Sequence, residues 1–125
     1  MAPAGQGLSR DRRLRSRRQY LALSRARRVG GRPFLFLWRP NGLAFSRLGL
    51  TVSRRVAGAV GRNRVKRRLR EAFRRSGQAL PQGVDLVVVA RPGAAATAYA
   101  ETDRLLNQAL AQIAAELTRN YRPQA

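Results

Sequence analysis

Arg62-Asn63-Arg64-Val65-Lys66-Arg67-Arg68-Leu69-Arg70-Glu71-Ala72-Phe73-Arg74-Arg75 is the most informative stretch of the chain. Val65, Leu69, Ala72 and Phe73 recur at i, i+4, i+7 and i+8, the spacing of one helix face. The other positions hold eight basic residues and one acid. Arg62, Lys66, Arg70 and Arg74 follow one another at i+4 spacing, and Arg64, Arg67, Arg68 and Arg75 flank them. Like charges so placed weaken an isolated helix by roughly 0.2–0.5 kcal/mol per pair. The helix therefore needs its apolar seam packed against other structure, and an anionic partner would relieve the repulsion. A solvated charged face is the plain alternative, but such a face ordinarily mixes both signs.

On the N-terminal side, residues 54–61 form a basic, small-residue lead into this helix. Before them, 43–53 reads as a strand with Leu48, Leu50 and Val52 on one face. Residues 33–39 alternate Phe34, Phe36 and Trp38 with Leu35 and Leu37, so both faces of that strand are apolar. Pro40-Asn41-Gly42 is a turn signal between them, and the pair reads as an antiparallel hairpin. Further back, Ser16-Arg17-Arg18-Gln19 is a capping box. It opens a short helix with Tyr20, Leu21 and Leu23 that ends before Gly30-Gly31.

On the C-terminal side, Gly77 is a stop signal and Pro81-Gln82-Gly83 a turn. Residues 84–90 are dominated by Val and Leu and read as a central strand. Thr97 reads as the cap of a last helix, with Glu101 and Asp103 near its positive end. Leu106, Leu110, Ile113 and Leu117 form that helix's apolar stripe. The element order is helix, strand, strand, helix, strand, helix. That order specifies an α+β fold, a two-layer α/β sandwich with a small mixed sheet of three or four strands. Residues 1–8 read as a tail, 9–119 as a single domain, and 120–125 as a second tail.

Charge narrows the function. Of 125 residues, 26 are Lys or Arg and six are Asp or Glu, a formal charge of +20. A small domain so charged repels itself and gains by neutralising a polyanion. Nucleic acid, through counterion release, is the first candidate; an anionic membrane surface is the second. Lys66 is the single lysine. Arginine suits bidentate phosphate contact and stacking on bases, although a GC-rich genome also enriches it. With no cysteine, disulfides and thiolate metal sites are excluded. No apolar run approaches a membrane span, and residues 1–8 lack an apolar signal region. The expectation is a cytoplasmic protein with no membrane and no small-molecule substrate.

The run Gly49-Leu50-Thr51-Val52-Ser53-Arg54-Arg55-Val56-Ala57-Gly58-Ala59-Val60-Gly61-Arg62-Asn63-Arg64-Val65-Lys66-Arg67-Arg68-Leu69-Arg70-Glu71-Ala72-Phe73-Arg74 closely resembles the signature of the bacterial ribonuclease P protein family. The most specific part is Arg-Asn-Arg, an apolar residue, then Lys-Arg, all after a Gly-x-x-Val-Ser strand. Weaker resemblance runs from about residue 14 to 117. It implies a four-stranded sheet with a left-handed crossover, against the usual right-handed rule. It also implies a division of labour. The partner RNA subunit holds Mg2+ and performs hydrolysis, while the protein binds that RNA and the single-stranded 5′ leader of precursor tRNA. No cofactor or metal is expected on the protein, and no catalytic residue.

Residue by residue, the resemblance assigns RNA binding to Arg62, Asn63, Arg64, Lys66, Arg67 and Arg70, and to the pair Arg54 and Arg55. Arg74 continues the same charged row. The resemblance puts the leader in a cleft between the basic helix and one sheet face. Tyr20 matches an aromatic of the family's first helix that lines it. Alternation alone makes Phe36 the candidate for the cleft floor. Stacking on such rings contributes roughly 1–3 kcal/mol per base and tolerates sequence variation. Ordinary core packing is the competing reading for both rings. The chain departs from the family pattern at Ser24, at Ala57-Gly58-Ala59-Val60 and at Leu37.

Three other functions are weighed at this level. A nuclease acting alone would need a tuned acid or base, yet the chain has no histidine and only six acids. A ribosomal or general structured-RNA-binding protein shares the composition, and only the Arg-Asn-Arg segment argues against it. A DNA-binding module would need base-reading side chains, whereas crowded arginines suit phosphates.

Overall fold

The computed structural model describes residues 26–76 and 82–120. Along the chain it has strands β1 (Arg27–Gly30), β2 (Phe34–Pro40) and β3 (Arg47–Val52), helix α1 (Ala59–Ser76), strand β4 (Val84–Ala90), a 3-10 turn at Ala94–Ala96, and helix α2 (Tyr99–Asn120). The four strands form one mixed sheet in the order β1-β2-β4-β3. The expected capping box and Tyr20, and the tail at 1–8, lie outside the described residues. Asn120, expected to begin the second tail, is instead the last helical residue.

β4 takes the central place that its Val- and Leu-rich run implies. It pairs with β2 antiparallel, from Phe34 opposite Ala90 to Pro40 opposite Val84. It pairs with β3 parallel, from Arg47 opposite Asp85 to Val52 opposite Ala90. The expected hairpin of β2 and β3 is therefore wrong: β4 lies between them, and β3–α1–β4 is a crossover joining parallel neighbours. Residues 41–46 bridge β2 to β3 across the end of β4. Asn41 Oδ1 accepts from the Leu43 amide at 2.8 Å, and the Asn41 backbone N–H donates to the Gly83 carbonyl at 2.8 Å. Gly83 has φ of +80°, and a Cβ there would meet the Leu43 carbonyl oxygen at 2.9 Å. Only glycine suits that crossing.

The other correction concerns residues 27–30, read as the end of a first helix and found as β1, an edge strand against β2. Val29, opposite Phe36, is its one buried side chain. One buried residue in four leaves no periodicity to read.

Both helices cover one face of the sheet. Val65, Leu69, Ala72 and Phe73 of α1 and Leu106, Ala109, Leu110 and Ile113 of α2 share a buried cluster with Phe34, Phe36, Trp38, Leu86 and Val88. Leu50, Val52 and Leu117 pack at its edge. The seams expected for both helices are thus the seams they bury. On the opposite face, Val87 forms a second, smaller cluster with Ala26, Leu37 and Val89. Thr97 does not cap α2 as expected. Its hydroxyl donates to the Gly93 carbonyl at 2.9 Å, closing the 3-10 turn, and α2 begins two residues later.

At the β3–β4 end sits a fully buried carboxylate, Asp85. Arg47 grips it bidentately, with Nε and Nη2 each 2.8 Å from an Asp85 oxygen, and Asn41 Nδ2 donates to it at 2.8 Å. Burial pushes the Asp85 carboxyl up, but hydrogen bonds from Arg47 and Asn41 and the charges of Arg47 and Arg39 outweigh it and hold it below the usual range. This network fastens β3 to β4 and to the 41–46 connection, and so sets the frame from which α1 departs.

Candidate nucleic-acid interface

α1 builds the site from its own periodicity. Its apolar residues turn inward onto the sheet, which forces its cations outward or to the flanks. Asn63, Arg64, Arg67, Arg70 and Arg74 are exposed. Arg64, Arg67, Arg70 and Arg74 have no carboxylate partner among the described residues, and they span about 15 Å along the axis at 1.5 Å per residue. Arg54 and Arg55 are exposed in the turn after β3, which closes with a 3.0 Å bond from the Val56 amide to the Ser53 carbonyl. The first turn of α1 carries no acid, so the positive end of the helix dipole adds to the field.

Arg62 and Lys66 sit differently from the row inferred from i+4 spacing. A helix turns about 100° per residue, so an i+4 row drifts about 40° per step and about 120° over three steps. Arg74 and Arg70 face outward, whereas Lys66 and Arg62 are carried toward the seam and are half-buried. Arg62 Nη1 donates to the Ala57 carbonyl at 2.9 Å, tying the basic lead to the helix start. The outward line is instead Arg64, Arg67, Arg70 and Arg74, with Asn63 at its head.

Two further arginines of α1 are committed to the α2 side. Arg68 Nη1 donates to the Thr97 carbonyl at 3.0 Å. Arg75 meets Asp103 at 2.8 Å. The carboxylates of the first turns of α2 are thereby occupied: Asp103 by Arg75, and Glu101 by Arg104 at 2.7 Å. The hydrogen bond from Arg104 holds Glu101 below its usual range against an opposing desolvation, with the charge of Arg104 adding a smaller pull in the same direction. Neither is free to act as a general base, and no group of three or more His, Cys, Asp or Glu gathers among the described residues.

The leader-cleft residues fare less well. Tyr20 is outside the described residues. Phe36 is only 3% exposed and belongs to the core under the helices. Packed side chains, rather than an open cleft, fill the space between α1 and that sheet face. The alternation of β2 is real, but the ring-bearing side is the core side. Leu35 and Leu37 mark the opposite face, where Leu37 and Val89 are half-exposed and Arg28, opposite Leu37 in register, is exposed.

Sequence reasoning missed Tyr99. It opens α2, is 51% exposed, and lies under the Arg68 guanidinium, whose carbon is 4.3 Å from the ring centroid. A lone tyrosine before a helical stripe gives no signal; only the packing of α2 beside α1 brings it to a basic flank. Among the described residues no helix is long and apolar enough to cross a membrane.

Comparison with known proteins follows the same line. The family model Ribonuclease P matches residues 8–114. The ribonuclease P protein component of Thermotoga maritima is 40% identical over 87 residues, covering 69% of this chain and 74% of that protein. The component from Syntrophus aciditrophicus is 35% identical over 100 residues, covering 79% and 84%. The solved RNase P protein of Thermotoga maritima superposes with a TM-score of 0.74 at 34% identity, covering 81% of this chain and 96% of that one. The RNase P protein of Staphylococcus aureus gives 0.73 at 27% identity, covering 82% and 94%. A four-stranded mixed sheet, a helix presenting unpaired arginines after a Val-Ser strand, and a family match across most of the sequence lead to one assignment: the chain belongs to the ribonuclease P protein family.

Proposed function

We propose that this chain is the protein subunit of ribonuclease P, binding the RNA subunit through α1 and assisting removal of the 5′ leader from precursor tRNA. One observation carries the reading. Arg64, Arg67, Arg70 and Arg74 stand exposed, with no carboxylate partner among the described residues, on a helix whose opposite seam is buried. A helix loaded this way is costly unless an anion is near, and RNA supplies phosphates at high density. Asn63 and the turn residues Arg54 and Arg55 extend the contact, half-buried Lys66 lies at its edge without adding to the phosphate count, and Arg62 supports it by fastening the helix start.

The chemistry belongs to the partner RNA. Among the described residues the carboxylates of α2 are ion-paired and Asp85 is buried and gripped by Arg47, which supports placing the proton transfers outside this chain. Mg2+, if held by the RNA, would supply activation of the attacking water. The leader runs over the sheet face opposite the helices, past Leu37, Val89 and Arg28. Apolar side chains there meet bases while arginine meets phosphate, which tolerates many leader sequences. Tyr20, outside the described residues, keeps only the leader contact that the family resemblance implies, and Phe36 drops out because its ring is enclosed.

Reconstitution tests the whole reading. The chain is added to a bacterial ribonuclease P RNA, and cleavage is compared for precursors with long and with very short leaders. Stimulation that grows with leader length is the expected result. Equal stimulation of both would remove the leader contact, and none at all would remove the subunit role. If ribosomal RNA instead dominates the RNA recovered with the chain from cells, it is a ribosomal or general structured-RNA binder.

A further inference from the structure

Tyr99 and Arg68 form a stack that is fixed before any partner arrives. Arg68 is held by its bond to the Thr97 carbonyl. Thr97 in turn is locked by its hydroxyl bond to Gly93 and by its amide bond to Ala94 at 3.1 Å. Tyr99 is the first residue of α2, so helix geometry fixes its backbone. The guanidinium covers one face of the ring, yet half the side chain remains exposed.

The surroundings of this ring are positive. Arg64, one turn before Arg68 on the same flank of α1, is exposed and has no partner among the described residues. Val60, one turn earlier again, is 73% exposed. Glu101 and Asp103 are each paired to an arginine, and Glu71, the one acid on α1, is half-buried. An acidic peptide would answer the charge but leave the aromatic face unmatched. A duplex would answer the charge while keeping its bases stacked on each other. An unpaired nucleotide answers both, with its base on the ring and its phosphate at the arginine.

We infer that Tyr99, backed by Arg68, stacks an unpaired nucleotide of the RNA that α1 binds, with Arg64 at its phosphate. This is a second contact, on the flank of α1 that faces α2, sharing Arg64 with the outward ridge and apart from the leader face. It rests on the reading of α1 as RNA-binding.

The test uses the full chain, ribonuclease P RNA and three proteins: wild type, Tyr99→Phe and Tyr99→Leu. Affinity is measured across a salt series, with thermal melting of each protein as a control. Leu keeps apolar bulk but has no π-face. Tyr99→Leu should weaken binding about 5- to 10-fold, the lower part of the range for losing one stacked base, while Tyr99→Phe stays within about twofold. Neither changes the salt slope, because no charge is lost, and a purely structural role would lower the melting temperature without this split between Phe and Leu. Wild-type affinity in Tyr99→Leu, or equal loss in both variants, overturns the stacking contact while leaving the α1 ridge intact. Failure of the wild-type chain to bind the RNA overturns the ridge and the stack together.

Discussion

Salt dependence measures how many phosphates the ridge engages. Eight cations crowd residues 62–75, but Arg62, Arg68 and Arg75 already hold Ala57, Thr97 and Asp103, and Lys66 is half-buried. Arg64, Arg67, Arg70 and Arg74 remain, and Arg54 and Arg55 bring the exposed set to six. Six neutralised phosphates give a slope of log affinity against log salt of about −4 to −5, using single-strand and duplex coefficients. Affinity for ribonuclease P RNA should then fall about 300- to 2,000-fold between about 50 and about 200 mM salt. Arg67→Ala with Arg70→Ala removes two contacts and should flatten the slope by about 1.4–1.8. Both side chains point to solvent, so melting temperature and far-ultraviolet circular dichroism should barely change. Filter binding over a salt series reads all of this. A wild-type slope shallower than about −2 would refute the ridge. So would a double variant that binds more weakly but keeps the wild-type slope, because its loss would not come from phosphates.

Leu69 is 1% exposed at the centre of the α1 seam, and Leu69→Ala should cost about 2–5 kcal/mol in denaturant titrations. Asp85→Ala should cost about 3–5 kcal/mol by stranding the buried Arg47 contact, also read by denaturation. The low folded value of Asp85 stabilises fully above its unfolded pKa of about 3.9 and is lost as pH falls toward the folded value. Melting temperature should therefore drop more steeply in acid for wild type than for Asp85→Asn; parallel curves would contradict the assignment. Arg62→Ala should reduce both RNA affinity and melting temperature, whereas Arg64→Ala should reduce affinity alone. The chain without RNA should not cleave precursor tRNA at physiological magnesium, and cleavage surviving rigorous removal of RNA would disprove the division of labour.

Long periodic segments were legible in the sequence, and pairings between distant segments were not. The seams of α1 and α2 follow from helical spacing because burial on a sheet demands it, and Val65, Leu69, Leu106, Leu110 and Ile113 are all buried. β4 announced itself as central because a strand covered on both faces and both edges is apolar throughout. The hairpin reading failed on Pro40-Asn41-Gly42. A turn signal says that the chain bends, not which strand it meets next, and here the Asn41 side chain reaches across to Asp85. The apolar character of both faces of β2 was compatible with either pairing. Within the site, composition found the helix, but 3.6-residue geometry decided which arginines point outward. Phe36 was misplaced because alternation distinguishes two faces without saying which one the helices cover. Tyr99 lies thirty-one positions beyond Arg68 and had no local mark.

The placement of β4 also sets an order of events during synthesis. Among the described residues it is the last strand to leave the ribosome, and there β3 has no other strand neighbour and β2 has only the short β1. The residues that β4 joins to β2 are forty-four to fifty-six positions apart, so sheet closure carries a large loop entropy and is slow for a chain this size. Until it closes, α1 has no finished floor to lie on, and its arginines repel one another along an unseated helix. An RNA that grips the seated helix adds its binding free energy to closure. Under the proposed role, assembly with RNA and completion of the fold would form one linked equilibrium.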